Sequence, residues 1–300
     1  MTQVIVIEGL TKHYGRNKIP AVDELSLTIS AGEVYGFLGS NGAGKSTTIR
    51  LVLDFIRPSS GTIRIFGKDS VRDSVAIKKD IGYLAGDVAL PNKVTGRQLL
   101  HYLASLRGGV DKLYLAELEQ QFQAQLDKRI GTLSKGNRQK IGLIQALMNK
   151  PKLMILDEPT SGLDPMMQEQ FYKIIAKAKQ DGTAVFLSSH SFGEVERICD
   201  RVGIIREGKL VYEGTVASVT ANHVPAWNVV VAHKTDADAL EQSKAVTVTF
   251  RQDRSLSVSP RQSIPLALAA LSKVAITSMS TSQDDLENEF MSFYNQEPTK

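Results

Sequence analysis

The feature that most constrains this chain is a glycine-rich loop between an apolar strand and a helix. Residues 39–46 read GSNGAGKS, which fits the pattern G-x-x-x-x-G-K-[ST] at every specified position. Val34–Leu38 precedes the loop as an apolar strand, and residues 47–53 follow it with a helical pattern. Glycines let successive backbone N–H groups and the helix N-terminus surround phosphate oxygens. The loop therefore predicts a nucleotide phosphate site within an α/β fold.

Two residues of this loop have specific expected roles. Lys45 should reach the β- and γ-phosphates of the nucleotide, and the Ser46 hydroxyl should bind Mg²⁺. The predicted nucleotide-binding residues of this segment are Gly39, Ser40, Asn41, Gly42, Ala43, Gly44, Lys45, Ser46 and Thr47. The loop predicts that a nucleotide binds here and leaves the purpose of the binding open.

A second apolar strand ends in two acids. Leu153–Leu156 is followed by Asp157 and Glu158, and buried strands rarely end in paired carboxylates without a chemical role for them. Asp157 is expected to orient Mg²⁺ through its water shell. Glu158 is predicted to be the general base that faces the attacking water. The ordinary alternative is a solvated pair of acids at a strand end.

Apolar runs and helical patterns alternate through about residue 213, which favours an α/β fold with a largely parallel sheet. Near-continuous apolar strands suit a parallel sheet covered on both faces, and they occur at Val34–Leu38, Leu153–Leu156 and Ala184–Leu187. Alternating strands with an edge-like pattern occur at Val4–Glu8, Ser26–Ile29 and Thr62–Phe66. Leucines recur at helical spacing between residues 95 and 149, so we expect a helical insertion there.

The character of the chain changes after Gly214. Strands are predicted at Trp227–Ala232, Ala245–Phe250 and Leu256–Val258, and helices at Ile264–Leu271 and Asp284–Tyr294. The sequence therefore predicts two domains. The first is residues 1–214, with its helical part at about 88–149, and the second is a small α+β domain at 215–300.

Composition limits the partners and the compartment. The net charge is only +4 in 300 residues, which is too small to indicate nucleic acid or a lipid surface by itself. The one cysteine, Cys199, excludes an internal disulfide and is expected to be a small buried side chain. No segment approaches the ~18 consecutive apolar residues that span a bilayer, and the N-terminus lacks a signal-peptide pattern. If the protein works at a membrane, another chain must bring it there.

Further segments, in order along the chain, resemble motifs of the ABC ATPase family. LSKGNRQK at residues 133–140 resembles the signature loop, usually written LSGGQ, and Ser161–Asp164 resembles the D-loop. His190, just after a predicted strand, resembles the switch histidine, and Tyr14 lies where the family stacks an aromatic ring on adenine. Together with the phosphate loop and the carboxylates, the resemblance covers residues 4 to about 214.

The resemblance implies a fold and a mode of action. The fold is a P-loop NTPase core with a mostly parallel sheet, an antiparallel β subdomain and a helical insertion. Two copies pack head to tail, and each ATP lies between the phosphate loop of one copy and the signature loop of the other. Ser134 and Gly136 then approach the γ-phosphate, and the helix that starts near Asn137 presents its positive end to it.

Three other residues acquire roles from the resemblance. His190 would hold the γ-phosphate and the attacking water in place, and Tyr14 would stack on adenine. Asp164 would act across the dimer interface. It is also placed to cap the helix that begins at Pro165, and both roles can hold together.

The sequence departs from the family pattern at two places. The signature has Lys135 and Asn137 where Gly and Gln are usual, but the two positions closest to the phosphate are kept, so we expect activity to survive. The position where the family has a Mg²⁺-contacting glutamine carries Gly86, followed by Asp87. Because Gly86 has no side chain, we hypothesise that Asp87 supplies the oxygen ligand.

The predicted function is hydrolysis of ATP, with Mg²⁺, to drive an ABC transporter through separate transmembrane permease subunits. The signature and the C-terminal appendage are similar to the bacterial drug- and lipid-exporter branch. The expected assembly is a homodimer, or a pair with a related ATPase chain, at the cytoplasmic face of the membrane and without nucleic acid.

Two other classes of function compete with this prediction. One is an ABC-type clamp on the ribosome or DNA, which the single set of motifs and the lack of a heptad tract or basic arm disfavour. The other is a nucleotide switch without turnover. Glu158 argues against that switch, because a non-catalytic site needs no base.

Overall fold

Two sheets and a group of helices build the larger part of the chain. The computed structural model describes residues 2–15, 19–220 and 226–281, and it divides into two units, residues 1–216 and 217–300. The strands of the first unit are β1 (Gln3–Lys12), β2 (Val22–Ser30), β3 (Val34–Leu38), β4 (Ser60–Ile65), β5 (Lys68–Asp69), β6 (Ile81–Leu84), β7 (Leu153–Asp157), β8 (Ala184–Ser189), β9 (Arg201–Arg206) and β10 (Lys209–Thr215). Its helices are α1 (Lys45–Val52), α2 (Ser74–Lys78), α3 (Gly96–Leu106), α4 (Lys112–Phe122), α5 (Lys135–Leu147), α6 (Pro165–Gln180) and α7 (Phe192–Ile198), with a 3-10 turn at Ile130–Thr132 and α8 (Val216–Thr220) at the boundary.

The larger sheet is mostly parallel, as predicted. Its strand order is β10-β9-β3-β8-β7-β6, and only the β9–β10 pair is antiparallel. Every residue of β3, β7 and β8 is buried, which explains their near-continuous apolar sequences. Cys199 is also buried and free, which confirms that prediction.

The smaller sheet is antiparallel, with the order β2-β1-β4-β5. The prediction of an edge position was wrong for β1, which lies between β2 and β4, and for β4, which lies between β1 and β5. Their alternating pattern reflects a sheet with one covered face, not an unpaired edge. The covered face shares one hydrophobic core with the parallel sheet, in which Ile5 and Ile63 join Phe37, Ile49 and Phe186.

Three helices, α3 to α5, lie between β6 and β7 in the chain, as the leucine spacing predicted. Thr95 and Gln98 form a capping box at the start of α3, and α4 buries Leu115, Leu118 and Phe122 on one face. Arg97 of α3 bonds to Glu119 of α4 at 3.0 Å and to Asp127 at 2.8 Å. The last leucine of α3, Leu106, is 64% exposed and belongs to no core.

The second unit is an antiparallel sheet with two helices. It contains β11 (Trp227–Val231), β12 (Val246–Gln252), β13 (Ser255–Pro260), β14 (Ile276–Thr281), α9 (Lys234–Glu241) and α10 (Ile264–Leu271), with strand order β12-β13-β11-β14. Side chains from the sheet and from both helices, including Val229, Leu240 and Leu271, form its own core. The sequence did not predict α9 or β14, and the helix predicted at Asp284–Tyr294 lies outside the described residues.

Candidate active site

The predicted site residues follow three neighbouring strands of the parallel sheet. The phosphate loop follows β3, Glu158 follows β7, and His190 follows β8. The three strands are adjacent and parallel, with Leu38 opposite Ser189 and Asp157 opposite Ser188. Because the carboxyl ends of parallel strands share one edge, residues far apart in sequence meet there.

The phosphate loop needs glycine at several of its positions. Gly42 and Gly44 have φ values of 83° and 115°, in the region that other residues rarely adopt. A Cβ atom on Gly39 would lie 2.6 Å from the carbonyl oxygen of Ile205, and one on Gly44 would lie 2.6 Å from that of Ala21. The loop therefore packs closely against the segments that contain Ala21 and Ile205, and it leads into the N-terminus of α1.

Lys45 is the buried cation of the loop. It is 5% exposed, and its ammonium group donates to the carbonyl oxygens of Gly39 at 2.6 Å and Ser40 at 3.1 Å. Its Nζ atom lies 3.8 Å from Oε1 of Glu158. Burial lowers the pKa of Lys45, while the charges of Glu158 and Asp157 act in the opposite direction. The lysine is thus aimed along the loop towards the carboxylates.

Asp157 connects the loop to the sheet. Its carboxylate, 6% exposed, accepts a hydrogen bond from Ser46 Oγ at 2.8 Å and another from Ser188 Oγ. Oxygen donors of this kind suit Mg²⁺. Ser46 and Asp157, predicted separately as metal-binding residues, are therefore adjacent in space.

Glu158 sits at a strained turn. Its φ of 48° places a non-glycine residue in the left-handed region, which costs roughly 1–3 kcal/mol. Its N–H donates to the backbone oxygen and the hydroxyl of Ser188, both at 3.2 Å. Its Oε1 lies 3.4 Å from Nδ1 of His190, whose side chain is 61% exposed. The turn directs the carboxylate out of the sheet and towards both the imidazole and the phosphate loop.

The signature segment begins a helix earlier than predicted. The helix near Asn137 starts at Lys135, because the hydroxyl of Ser134 caps it by accepting the N–H of Asn137 at 3.3 Å. Ser134 and Lys135 are exposed. The first turn of α5 holds no acid that would offset the positive end of the helix.

The signature segment packs against the D-loop of its own chain. Lys135 Nζ donates to Ser161 Oγ at 3.0 Å, and a Cβ on Gly136 would lie 2.5 Å from the carbonyl oxygen of Gly162. Asp164 caps α6 by accepting the N–H of Met167 at 3.0 Å. The capping interpretation of Asp164 is confirmed, and its role across a dimer interface stays a prediction.

Sequence reasoning missed the residue that joins this helix to the turn at Glu158. Gln139 is 1% exposed, and its amide donates to the carbonyl oxygens of Glu158 at 3.3 Å and Pro159 at 2.8 Å. The available signal was its spacing, because it lies four residues before Leu143 on the apolar face of α5. A polar side chain on such a face requires buried partners.

Two predicted residues lie at the margin of this cluster. Tyr14 is 42% exposed, with Lys12 Nζ 5.5 Å from its ring centre. A Cβ on Gly86 would be 3.2 Å from the Asp157 carboxylate, so Gly86 itself faces the acid. The Asp87 side chain is exposed and, within the described residues, has no hydrogen bond or ion pair.

Comparisons with known proteins agree with this arrangement. A family model described as ABC transporter matches residues 22–161. The bacitracin transport ATP-binding protein BcrA of Bacillus licheniformis is 39% identical over 216 residues, which is 71% of this chain and 70% of that protein. The daunorubicin/doxorubicin resistance ATP-binding protein DrrA of Streptomyces peucetius is 32% identical over 308 residues, 97% of this chain and 92% of that protein. The solved structure of an ATP binding subunit of an ABC transporter superposes with a TM-score of 0.67 at 26% identity, over 73% of this chain and 92% of that one.

The similarity to the Streptomyces protein extends through both units, because it spans nearly the whole chain. Among the described residues, no helix combines the length and the apolar content that crossing a membrane requires.

Proposed function

The chain belongs to the ABC transporter ATP-binding family, and from this membership and its site we propose that it binds and hydrolyses ATP to power a transporter. It acts as the nucleotide-binding subunit, and separate transmembrane permease subunits form the substrate path. The observation that carries the proposal is the meeting of Lys45 with Glu158, 3.8 Å apart, at the edge where Asp157 also lies. A chain that only binds nucleotide has no need of that base.

The roles of the side chains follow from their places. The phosphate loop, Gly39 through Thr47, holds the phosphates, and Lys45 neutralises the charge that grows on the γ-phosphate. Glu158 accepts the proton of a water whose oxygen attacks the γ-phosphorus. The bond to the β–γ bridging oxygen breaks, and ADP and phosphate leave. His190, beside Glu158, orients the water and the γ-phosphate.

Mg²⁺ fits the oxygen donors of this edge. Ser46 and Asp157 would hold it, the serine directly and the acid through water, with Asp87 supplying the oxygen that Gly86 lacks. When bound, the ion supplies positive charge to the β- and γ-phosphate oxygens. Among the described residues no group of three His, Cys, Asp or Glu could hold a metal by itself, so the nucleotide would complete the site.

The active assembly is a dimer, either of two copies or of this chain with a related ATPase chain. In it the phosphate loop of one protomer and the signature loop of its partner grip one ATP from opposite sides. Ser134 stands at an exposed helix end, and the first turn of this helix, which contains Gly136, holds no acid, which suits an arriving γ-phosphate. Asp164 acts across the interface, and Tyr14 stacks on the adenine.

The permease docks on an apolar groove beside β6. This groove, of about 250 Å³, is lined by Phe55, Tyr83, Leu103, Leu106 and Met148 among others, and Phe55 and Leu106 are 53% and 64% exposed. Exposed apolar residues gathered in one groove indicate a protein contact. A cytoplasmic segment of the permease is the proposed occupant, which places this chain at the cytoplasmic face of the membrane.

Export is the proposed direction. The two relatives named above are a bacitracin transport protein and a daunorubicin/doxorubicin resistance protein, so the cargo proposed here is an antibiotic or another compound that the cell expels. The clamp on ribosome or DNA has no support in the fold, since the longest described helix, α6, has 16 residues.

The direct test is Glu158→Gln in the full-length protein, with and without its permease. The substitution keeps the shape and removes the base, so ATP binding should persist while hydrolysis slows by ~10²–10⁴. Phosphate release measures the rate, and binding of a fluorescent ATP analogue measures occupancy. Glu196→Gln, an exposed acid on α7, is the control. Hydrolysis at an unchanged rate in the Glu158 variant would overturn the assignment.

A further inference from the structure

A buried acid that the mechanism above does not use lies next to the catalytic turn. Glu194 of α7 is 7% exposed. Its Oε2 atom accepts a hydrogen bond from Ser189 Oγ at 2.6 Å, and the Thr160 side chain lies close to this carboxyl. Its other oxygen, Oε1, is buried with no hydrogen-bond partner among the described residues.

The hydrogen bond of Glu194 reaches the segment that carries His190. Ser189 Oγ, which donates to Glu194, also accepts the N–H of Ser191 at 3.0 Å. These bonds fix both ends of the turn that carries His190 between them. One carboxyl group therefore holds the histidine turn.

The surroundings place this connection at the reaction centre. Glu194 lines an open, polar cavity of about 480 Å³ together with Glu158, Thr160 and His190. A side chain needed only for packing would be apolar, because burying a carboxyl with one oxygen unpaired costs free energy. This cost in free energy of folding indicates that the carboxyl has a role that an apolar side chain could not perform.

Burial and neighbouring groups act on the pKa of this acid. Burial raises the pKa of Glu194, while Ser189, Thr160 and the nearby His190 act in the opposite direction and Glu158 adds to the increase. Burial, and then the charge of Glu194, raises the pKa of Tyr172 of α6 and that of Cys199, and Arg197 of its own helix lines the cavity.

We propose that Glu194 is a positioning residue for ATP hydrolysis, which holds the His190 turn in its catalytic arrangement. This inference rests on the proposed function. Glu194 acts through Ser189 and touches no reacting atom.

The test compares two substitutions of Glu194 in the full-length protein. Glu194→Gln keeps an acceptor for Ser189, so kcat should stay within about two-fold of the unchanged protein. Glu194→Ala removes this bond, so kcat should fall about ten-fold while KM for ATP stays the same. Glu196→Ala, an exposed acid of the same helix, is the matched control. Equal kcat in the Ala variant and the unchanged protein would overturn the proposal, as would a Gln variant as slow as the Ala variant.

A second variant guards against misfolding of Glu194→Ala. Ser189→Ala removes only the hydroxyl that joins Glu194 to the His190 turn. It should lower kcat several-fold without changing KM, and it should add little to the effect of Glu194→Ala in the double variant. Unchanged kcat for Ser189→Ala would contradict the proposal even if the Glu194 variant does not fold.

A cycle with His190 tests the route of action. In a His190→Ala background, measured by single-turnover hydrolysis of radiolabelled ATP, Glu194→Ala should cause little further loss. Multiplicative losses would mean that Glu194 does not work through His190. Failure of the proposed function is distinguishable from failure of this inference. If the proposed function fails, Glu158→Gln hydrolyses ATP at the normal rate. If only this inference fails, Glu158→Gln is slow, whereas the Glu194 and Ser189 variants hydrolyse ATP at the normal rate.

Discussion

The two halves of the proposed ATP site differ in how far one chain completes them. The phosphate half, Lys45, Ser46, Asp157 and Glu158, is joined by hydrogen bonds and short contacts across adjacent strands. The signature half, Ser134, Lys135 and Gly136, stands at an exposed helix end. The parallel sheet preorganises the first half. The positive helix end of the second half faces no acid in its own first turn, so it is open to an anion from elsewhere. In the proposed dimer, each chain contributes its phosphate half to one ATP and its signature half to the ATP of its partner.

The largest expected effect comes from breaking the phosphate half. Lys45→Ala removes the buried cation that faces the phosphates and leaves two loop carbonyls without a donor. Affinity for ATP should fall by about 100-fold or more, because a charge-assisted contact to phosphate is lost. Equilibrium binding of a fluorescent ATP analogue measures this change. Lys93→Ala, an exposed lysine, should bind normally, and retained affinity in the Lys45 variant would refute the assigned cradle.

The signature half should respond in the opposite way. Ser134→Ala should leave ATP binding to a single chain within about two-fold but slow hydrolysis by about ten-fold or more, because the lost contact forms only in the closed dimer. Phosphate release and analogue binding, measured side by side, separate the two effects. Thr95→Ala is the control, because it also removes a helix cap, worth about 1 kcal/mol, at a residue that the proposed site does not include. Equal losses of hydrolysis rate in the two variants would mean that Ser134 acts only as a helix cap.

Gln139 joins the two halves within one chain. Gln139→Leu should slow hydrolysis by about ten-fold and destabilise the fold by about 1–3 kcal/mol, because the carbonyls of Glu158 and Pro159 lose their buried donor. Steady-state hydrolysis and thermal unfolding measure the two effects. Gln120→Leu, at an exposed glutamine of the neighbouring helix α4, is the control. If Gln139→Leu loses stability but keeps full kcat, the two halves are not coupled through this side chain.

The smallest expected effect concerns the edge of the phosphate half. Asp87→Ala should raise the Mg²⁺ concentration for half-maximal hydrolysis several-fold, since one oxygen donor of the proposed ion site is removed. A Mg²⁺ titration of the hydrolysis rate measures it, with Asp73→Ala as an exposed control. An unchanged rate and an unchanged Mg²⁺ dependence would rule out Asp87 as the replacement for the family glutamine.

The sequence predicted the parts of the molecule that rest on local rules. Lys45, Ser46 and Asp157 were found because their motifs fix both residue type and neighbouring elements, and their contact follows from the order of parallel strands. Elements without such rules were missed. The helix α9 is mainly polar and β14 is rich in Ser and Thr, so neither has a strong apolar period.

Gln139 and Glu194 were missed for a different reason. Each is a polar residue whose partners lie on another element, because the Glu158–Pro159 carbonyls follow β7 and the Ser189 hydroxyl ends β8. Helical spacing alone predicts that such positions are buried, but not what they bond to. The tertiary packing of the loops after β7 and β8 decides that, and no local pattern encodes it.

The claim on which the account depends is that two chains share each ATP. Sedimentation velocity of the full-length Glu158→Gln protein, with ATP and then with ADP, tests it most directly, because hydrolysis can no longer release the γ-phosphate. The account predicts a species of twice the 32.8 kDa chain mass at saturating ATP, and the single-chain mass with ADP. A protein that binds ATP fully but sediments as a single chain throughout would contradict it.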